Sequence, residues 1–264
     1  MQTLEAMYHI QLKRGDIGRY VLLPGDPGRT ETIAQYFDNP VKVAQNREYT
    51  TYTGTLLGEK VAVTSTGIGC PSTAIAIEEL IKIGADTFIR VGTSGAMQPH
   101  IKSGDVAILT GAIRDEGTTA QYLPIEYPAV ADLDVMIALR EGARRAGIPF
   151  HVGVSHSKDS FYGETEPQRM PMAPYLAQRW DAWVGGGAIC SEMEASAIFI
   201  LAGIYRKRAG GVMLMGGAEE GADHIPLDEN ARAINPLIDV NRAISVAVEG
   251  LKILIEQDRA AGRA

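Results

Sequence analysis

The chain is 264 residues long and 45% hydrophobic, enough to bury a substantial core in one α/β domain. Its net charge of −7 argues against general nucleic-acid binding, which needs a basic footprint, but leaves room for a local basic pocket holding a small anion. Cys70 and Cys190 are too few for a secreted disulfide scaffold and lack metal-ligand spacing. Met1 to Gln11 has neither the basic start nor the apolar run of a signal peptide, and no run of about 18 apolar residues is present to span a membrane, so the expected location is cytoplasmic.

Short runs rich in branched residues predict buried strands at Tyr20–Leu23, Val61–Thr66, Thr87–Val91, Val106–Thr110, His151–Val154 and Gly211–Met215. Between them, Ser72 is placed to cap a helix carrying Ile75, Leu80 and Ile81. Leu133–Ala146 is a second predicted helix, ended by Gly147 and Pro149. Glu194–Tyr205 suits a buried helix, and Leu237–Ile255 sets Leu237, Val240, Ile244, Val248, Leu251 and Ile255 on one face. The stretch Gly163–Gly187, with Trp180 and Trp183, is the least regular and is expected to be an insertion or a lid. Gln257–Ala264 is expected to be a frayed polar tail. No internal repeat interrupts this order. The expected fold class is α/β, a single domain over 1–264 with a central mixed, partly parallel sheet flanked by helices.

Glycine-containing turns follow three of the strands, at Pro24–Gly28, Thr66–Gly69 and Gly92–Gly95. In open α/β sheets ligands bind beyond the carboxyl ends of strands, so these loops could line one site; each could equally be a plain tight turn. Arg29 follows the first loop. Arg90 ends the apolar run Phe88-Ile89-Arg90-Val91, where a charge is costly unless paired. A guanidinium there fits either an anion such as phosphate, with Thr93 and backbone N–H groups adding donors, or a structural ion pair. In Ser191-Glu192-Met193-Glu194, two carboxylates flank a methionine before a helical run. Carboxylates there suit sugar hydroxyls and an oxocarbenium-like C1, while an acidic helix start is the plainer alternative.

Pro24-Gly25-Asp26-Pro27-Gly28-Arg29, Asn46-Arg47-Glu48-Tyr49, Ser65-Thr66-Gly67-Ile68-Gly69-Cys70-Pro71-Ser72, Ile89–Ala96 and Glu192-Met193-Glu194 together resemble, in order, the blocks of the nucleoside phosphorylase family. That family includes the uridine phosphorylases and the hexameric purine nucleoside phosphorylases, and the likeness runs from about His9 to Glu194. The resemblance implies phosphate binding by Gly25, Arg29, Arg90 and Thr93, with Arg47 reaching in from a neighbouring subunit. It implies ribose binding by Glu192, Met193 and Glu194, with His9 from the neighbour near the 5′-hydroxyl. Arg90 and Glu194 become the catalytic pair, Phe161 lines the base, and Ser94 lies at the sugar–base junction. Glu48, Ile68 and Ser72 match a monovalent-cation site between paired subunits, a structural K+. No cofactor is implied; inorganic phosphate is the co-substrate. The implied assembly is a homo-hexamer, a trimer of dimers with shared sites, and neither nucleic acid nor membrane is a partner.

Base choice departs from the family pattern. Uridine phosphorylases carry Gln-x-Arg shortly after a Phe-Tyr pair; here Gln168 and Arg169 are adjacent and displaced. They are expected to meet the base by way of a loop of different length, or else Thr165 or Glu166 faces it. The purine enzymes use Ser-Asp after the strand matching Gly211–Met215; here the sequence runs Met215-Gly216-Gly217-Ala218-Glu219-Glu220, leaving Glu219 or Asp223 as substitutes. Tyr49–Tyr52, Gln98-Pro99-His100 and Tyr127–Asp132 resemble the pyrimidine enzymes. The expected activity is therefore phosphorolysis of a pyrimidine nucleoside, uridine first. A purine or methylthioadenosine phosphorylase, a hydrolytic nucleosidase and a non-catalytic nucleoside-binding protein are the alternatives. His100, His151, His156 and His224 lack a triad context and are expected to be structural or solvated.

Overall fold

The computed structural model describes residues 6–216 and 236–263. Ten strands share one mixed sheet: β1 Tyr20–Leu23, β2 Asp38–Asn46, β3 Tyr49–Leu56, β4 Glu59–Thr64, β5 Thr87–Ala96, β6 Val106–Asp115, β7 Ala129–Val130, β8 Phe150–Lys158, β9 Cys190–Glu192 and β10 Arg208–Gly216. The helices are α1 Arg29–Ala34, α2 Cys70–Ile83, α3 Leu133–Ala146, α4 Phe161–Thr165, α5 Ala173–Gly185, α6 Ala195–Ile204 and α7 Asn241–Ala260. The expected α/β class with a mixed, partly parallel sheet is what the chain forms.

β5 is the pivot. Along one edge it pairs with β10 in parallel over its whole length. Along the other, its first half (Thr87 to Arg90) pairs in parallel with β1, while Gly95 and Ala96 pair antiparallel with β9. β10 continues antiparallel to β6, β6 runs parallel to β8, and β8 parallel to β9, so these strands return to β5 as a closed ring. β1 leads the other way through β4 and β3 to the edge strand β2. The fork at Val91–Ser94, between β1 and β9, is a topological switch point.

Side-chain alternation sends Phe88 into one apolar layer, with Ile77, Leu80, Phe199 and Met213, and Ile89 and Val91 into the other, with Leu139, Ile244 and Leu251. Arg90 shares the Phe88 face, so its charge is carried into an interior otherwise built from α2, α6 and the sheet.

Several boundaries differ from expectation. β2 is exposed over most of its length and has no apolar alternation to betray it. Ser72 does not cap α2: Gly69 does, with φ 90°, and the Ser72 hydroxyl instead bonds Glu48 Oε1 at 2.8 Å and the Thr66 carbonyl. The stretch 163–187 is largely helical, holding most of α4, a short 3-10 turn at Pro167–Arg169 and all of α5. Leu237 lies outside α7 and is exposed, because the chain turns at 237–239 and the Asp239 side chain accepts the Asn241 N–H at 3.0 Å. The first half of the expected polar tail, Gln257 to Ala260, is the last turn of α7. Asp258 is fully buried there, accepting the Tyr20 hydroxyl at 2.7 Å and pairing with Arg208 at 2.5 Å.

Candidate active site

Arg90 is buried at the fork. Its Nε donates to Glu192 Oε2 at 3.0 Å, and its Nη2 pairs with Glu194 Oε2. Burial alone would lower the Arg90 pKa, but the two carboxylates beside it hold it above the usual guanidinium value. Nη1 is also buried and has no hydrogen-bond partner among the described residues. A guanidinium fixed on two sides by carboxylates thus keeps one donor edge unspent. Gly92, two residues on, cannot carry a side chain: a Cβ would meet Met213 Sδ at 2.5 Å and Arg90 Nη2 at 3.1 Å.

Glu192 is tied into the backbone. Its Oε2 also accepts the N–H groups of Glu194 and Ala195, both at 2.8 Å, at the start of α6. Its Oε1 takes the Ser157 hydroxyl and, at 3.4 Å, that of Ser155. Glu194 Oε1 accepts the Gly69 N–H at 2.6 Å, which binds the Thr66–Gly69 loop to this carboxylate. Burial pushes the Glu194 pKa up, against the pull of Arg90. Met193, between the two glutamates, is half-buried.

The Pro24–Gly28 loop lies alongside. Thr66 and Gly67 donate their N–H groups to the carbonyls of Pro24 at 2.9 Å and Gly25 at 3.0 Å. Gly67 has φ 71°, and a Cβ there would meet Glu48 Cγ at 2.7 Å, so the loop closes only with glycine. Arg29 forms no side-chain hydrogen bond or ion pair among the described residues. Its pKa is lowered, first by burial and then, against the pull of Asp26, by the neighbouring Arg90 guanidinium. Two close guanidiniums, one without a counter-ion and one with a spare N–H edge, make a cradle for an oxyanion. Thr93, half-buried in β5, borders the same fork.

His9 and Arg47 come together at one edge. Glu79 accepts the backbone N–H groups of His9 at 3.0 Å and Ile10 at 2.9 Å, and its Oε1 lies 2.7 Å from His9 Nδ1. The contact suits a proton on Nδ1. Asn46 Nδ2 donates to the His9 carbonyl at 2.7 Å, which ties His9 to the tip of the β2–β3 hairpin, where Arg47 stands exposed with φ 53°. Glu48, beside it, has its pKa lowered, chiefly by backbone hydrogen bonding and also by the Ser72 hydroxyl. The Ile68 side chain is exposed.

Of the base-lining residues expected from sequence, Ser94 and Phe161 are linked through Ser191 and Lys158, while Gln168 and Arg169 have no such link among the described residues. Phe161 starts α4 and is exposed. The Ser94 hydroxyl is spent on the carbonyls of Ser191 at 2.5 Å and Gly95 at 3.0 Å. Gln168 and Arg169 sit exposed on the 3-10 turn, Arg169 paired with Glu166; no hydrogen bond links either to the Arg90 cluster. The loop bearing Glu219 and Asp223, and with it His224, lies outside the described residues.

Sequence reasoning passed over Lys158, Glu164 and His156. Lys158 Nζ lies 3.0 Å from Glu164 Oε2 and 2.7 Å from Ser191 Oγ. His156, expected to be structural or solvated, is a buried member of this charged network, its Nε2 2.9 Å from Asp115 Oδ2. The pairing was hidden because Glu164 is in α4 and its partners are in β8; only the turn at Asp159 and Ser160 brings them together. His151, by contrast, pairs with Asp105 at 2.8 Å and stacks edge-on to His100, a structural arrangement as expected.

The model of the family described as the phosphorylase superfamily matches residues 19–237. A uridine phosphorylase of Treponema pallidum is 51% identical over 260 residues, 97% of each chain. One from Thermococcus kodakarensis is 46% identical over 266 residues, covering 100% of this chain and 92% of that one. A guanosine phosphorylase of Halorubrum lacusprofundi is 38% identical over 252 residues, 93% of this chain and 98% of that one. The chain belongs to the phosphorylase superfamily. It is an enzyme of the nucleoside phosphorylase type, as its blocks from Gly25 to Glu194 imply.

Proposed function

We propose that the protein cleaves uridine with inorganic phosphate, giving uracil and ribose 1-phosphate. The carrying observation is the unspent Nη1 edge of Arg90 beside the unpaired Arg29, directly next to Glu194. Gly25, Arg29, Arg90 and Thr93 hold the phosphate, and Arg47 reaches it from a neighbouring subunit. Glu194 accepts from the ribose 2′- and 3′-hydroxyls, Met193 lies against the sugar face, Glu192 fixes Arg90, and the neighbour's His9 serves the 5′-hydroxyl. As the C1′–N1 bond breaks, positive charge grows on the ribose. The phosphate dianion stabilises it and then forms the C1′–O bond, while the base leaves with the electron pair and takes a proton from solvent. The arginines position a nucleophile that needs no covalent activation. No cofactor enters this chemistry.

The name of the Treponema relative and its coverage of nearly the whole chain favour uracil as the base. A 6-oxopurine is the second reading, favoured by the Halorubrum relative. Arg47 is exposed and His9 half-exposed at one edge, which supports a shared site and hence a dimer at least, assembled as a trimer of dimers. The Glu48 carboxylate and Ser72 hydroxyl are 2.8 Å apart beside exposed Ile68, hard oxygen donors that suit a K+ ion at that interface. No helix of the described residues is long and apolar enough to cross a membrane, in keeping with a cytoplasmic enzyme. The test is product formation from uridine, thymidine, inosine, guanosine, adenosine and methylthioadenosine, each with and without phosphate. Uracil released from uridine only with phosphate is expected; release without phosphate makes it a nucleosidase, and no release from any substrate a binding protein.

A further inference from the structure

We infer that Lys158 and Glu164 form the base-reading pair of this site and select bases that present a carbonyl beside a ring N–H. The inference rests on the proposed nucleoside cleavage and names the part of the site that chooses the base. Glu164 is held through Oε2 alone: Lys158 Nζ at 3.0 Å, His156 Nδ1 at 3.4 Å and the Ser191 hydroxyl all meet that oxygen. Among the described residues nothing bonds Oε1 of the same carboxylate, which can take another donor. Lys158 carries three N–H donors, of which Glu164 and Ser191 take two. A donor and an acceptor therefore stand side by side. Lys158 Nζ also lies 6.0 Å from the ring centroid of Phe161, whose own face is open to solvent and able to stack on a flat base.

The pair is built to stay put. His156 bridges Glu164 to Asp115, Asp115 pairs with Arg179, and Trp180 and Trp183 flank the imidazole with centroids 6.3 and 6.2 Å away. Lys158 is buried and Glu164 nearly so, which strengthens their hydrogen bonds and makes an unmatched partner costly. Ser191, which both residues touch, directly precedes Glu192, so the pair shares the carboxyl ends of β8 and β9 with the ribose cluster.

Uracil presents C=O and N–H adjacently at O4 and N3, and a 6-oxopurine does so at O6 and N1. Lys158 donates to the carbonyl and Glu164 Oε1 accepts the ring N–H. Cytosine and adenine show the reverse, an amino group beside a bare ring nitrogen, and set donor against donor. A site that hydrogen-bonds a substrate edge rejects the analogue lacking it far more strongly than an apolar pocket does.

The experiment compares uridine with 3-methyluridine, which lacks the N3–H, and with cytidine. It measures kcat/KM in phosphate and, by calorimetry, binding of free uracil. It uses the full-length protein and the Lys158→Met, Glu164→Met and Lys158→Met/Glu164→Met variants, the double variant removing both buried charges together. Wild type is expected to prefer uridine over 3-methyluridine, Glu164→Met and the double variant to lose on the order of 10- to 100-fold of that preference, and each variant to lose a similar factor of uracil affinity. Wild type accepting 3-methyluridine as readily as uridine overturns the inference while leaving phosphorolysis intact. So does a preference that survives Glu164→Met but collapses in Gln168→Ala. If wild type cleaves no nucleoside, the proposed function fails, and uracil binding that Glu164→Met weakens still supports the pair, whereas unchanged or absent binding overturns it.

Discussion

Arg90 Nε donates to Glu192 Oε2 at 3.0 Å across 102 residues of sequence, and this one bond aims the guanidinium so that Nη1 stays free. Lysine at this position carries its three donors on one nitrogen in place of the planar fork, so it cannot meet Glu192 and Glu194 from the separate positions of Nε and Nη2 and still aim a donor along the Nη1 edge. Arg90→Lys is expected to keep the fold and to lower kcat/KM for phosphate by on the order of 10²- to 10³-fold. Steady-state kinetics with phosphate as the varied substrate, alongside circular dichroism, checks it; a variant within about threefold of wild type refutes the role.

Glu192 answers to a different measurement. It receives two backbone N–H groups, two serine hydroxyls and Arg90, all in the interior. Glu192→Ala leaves Arg90 half-paired and the first turn of α6 uncapped. The expected loss is about 3–5 kcal/mol of unfolding free energy, read by denaturant titration, because removing one member of a buried pair strands the other. A loss below about 1 kcal/mol means that the site is wetter than the burial of Glu192 indicates.

These two residues also mark what the sequence could carry. A charge inside Phe88-Ile89-Arg90-Val91 announced that something had to pair with it, and the choice between anion and carboxylate was left open. The structure supplies the carboxylates, Glu192 and Glu194, and leaves a guanidinium edge for the proposed phosphate. The strands β1, β5 and β10 were legible because each holds a stretch buried on both faces that is apolar apart from Arg90 in β5. β2 was not, since an exposed edge strand has no inward side to write a pattern. The Lys158–Glu164 pair was illegible for another reason: its members end a strand and sit in a helix, and the turn at Asp159 and Ser160 that folds one onto the other carries no apolar pattern.

The His156 network predicts a pH signature in stability. Burial opposes the charge on His156, but its bonds to Asp115 and Glu164 raise its pKa above the ordinary 6.5. Such a group contributes stability that is complete below pH 6.5 and is lost as pH rises through its folded-state value. Asp115 and Glu164 are shifted the other way despite their burial, Asp115 through its His156 hydrogen bond and Arg179, Glu164 through His156 and Lys158. Their contribution is present above the ordinary values of 3.8 and 4.5 and is lost as pH falls through lower ones. Wild-type Tm is therefore expected to decline from pH 6.5 upward, and His156→Gln to flatten that limb and to weaken the acid one, leaving there the part that Arg179 and Lys158 supply. Parallel wild-type and variant curves across the alkaline limb would show that His156 is neutral in the fold.

Arg47 tests whether the site is shared. It projects from a hairpin tip with no side-chain hydrogen bond or ion pair among the described residues, next to His9, while Arg90 lies deep in the fork. If Arg47 completes the neighbour's site, Arg47→Ala and Arg90→Ala should each abolish phosphate-dependent turnover as pure proteins. In a co-expressed mixture, a dimer holding one of each has one site with both defects and one with neither. Random pairing makes about half the dimers mixed, so the mixture should recover about one quarter of wild-type activity. Recovery must vanish when the same two substitutions are placed in one chain. Should the mixture stay inactive although mass spectrometry of differently tagged subunits shows mixed dimers, Arg47 acts within its own subunit, and the shared site is wrong.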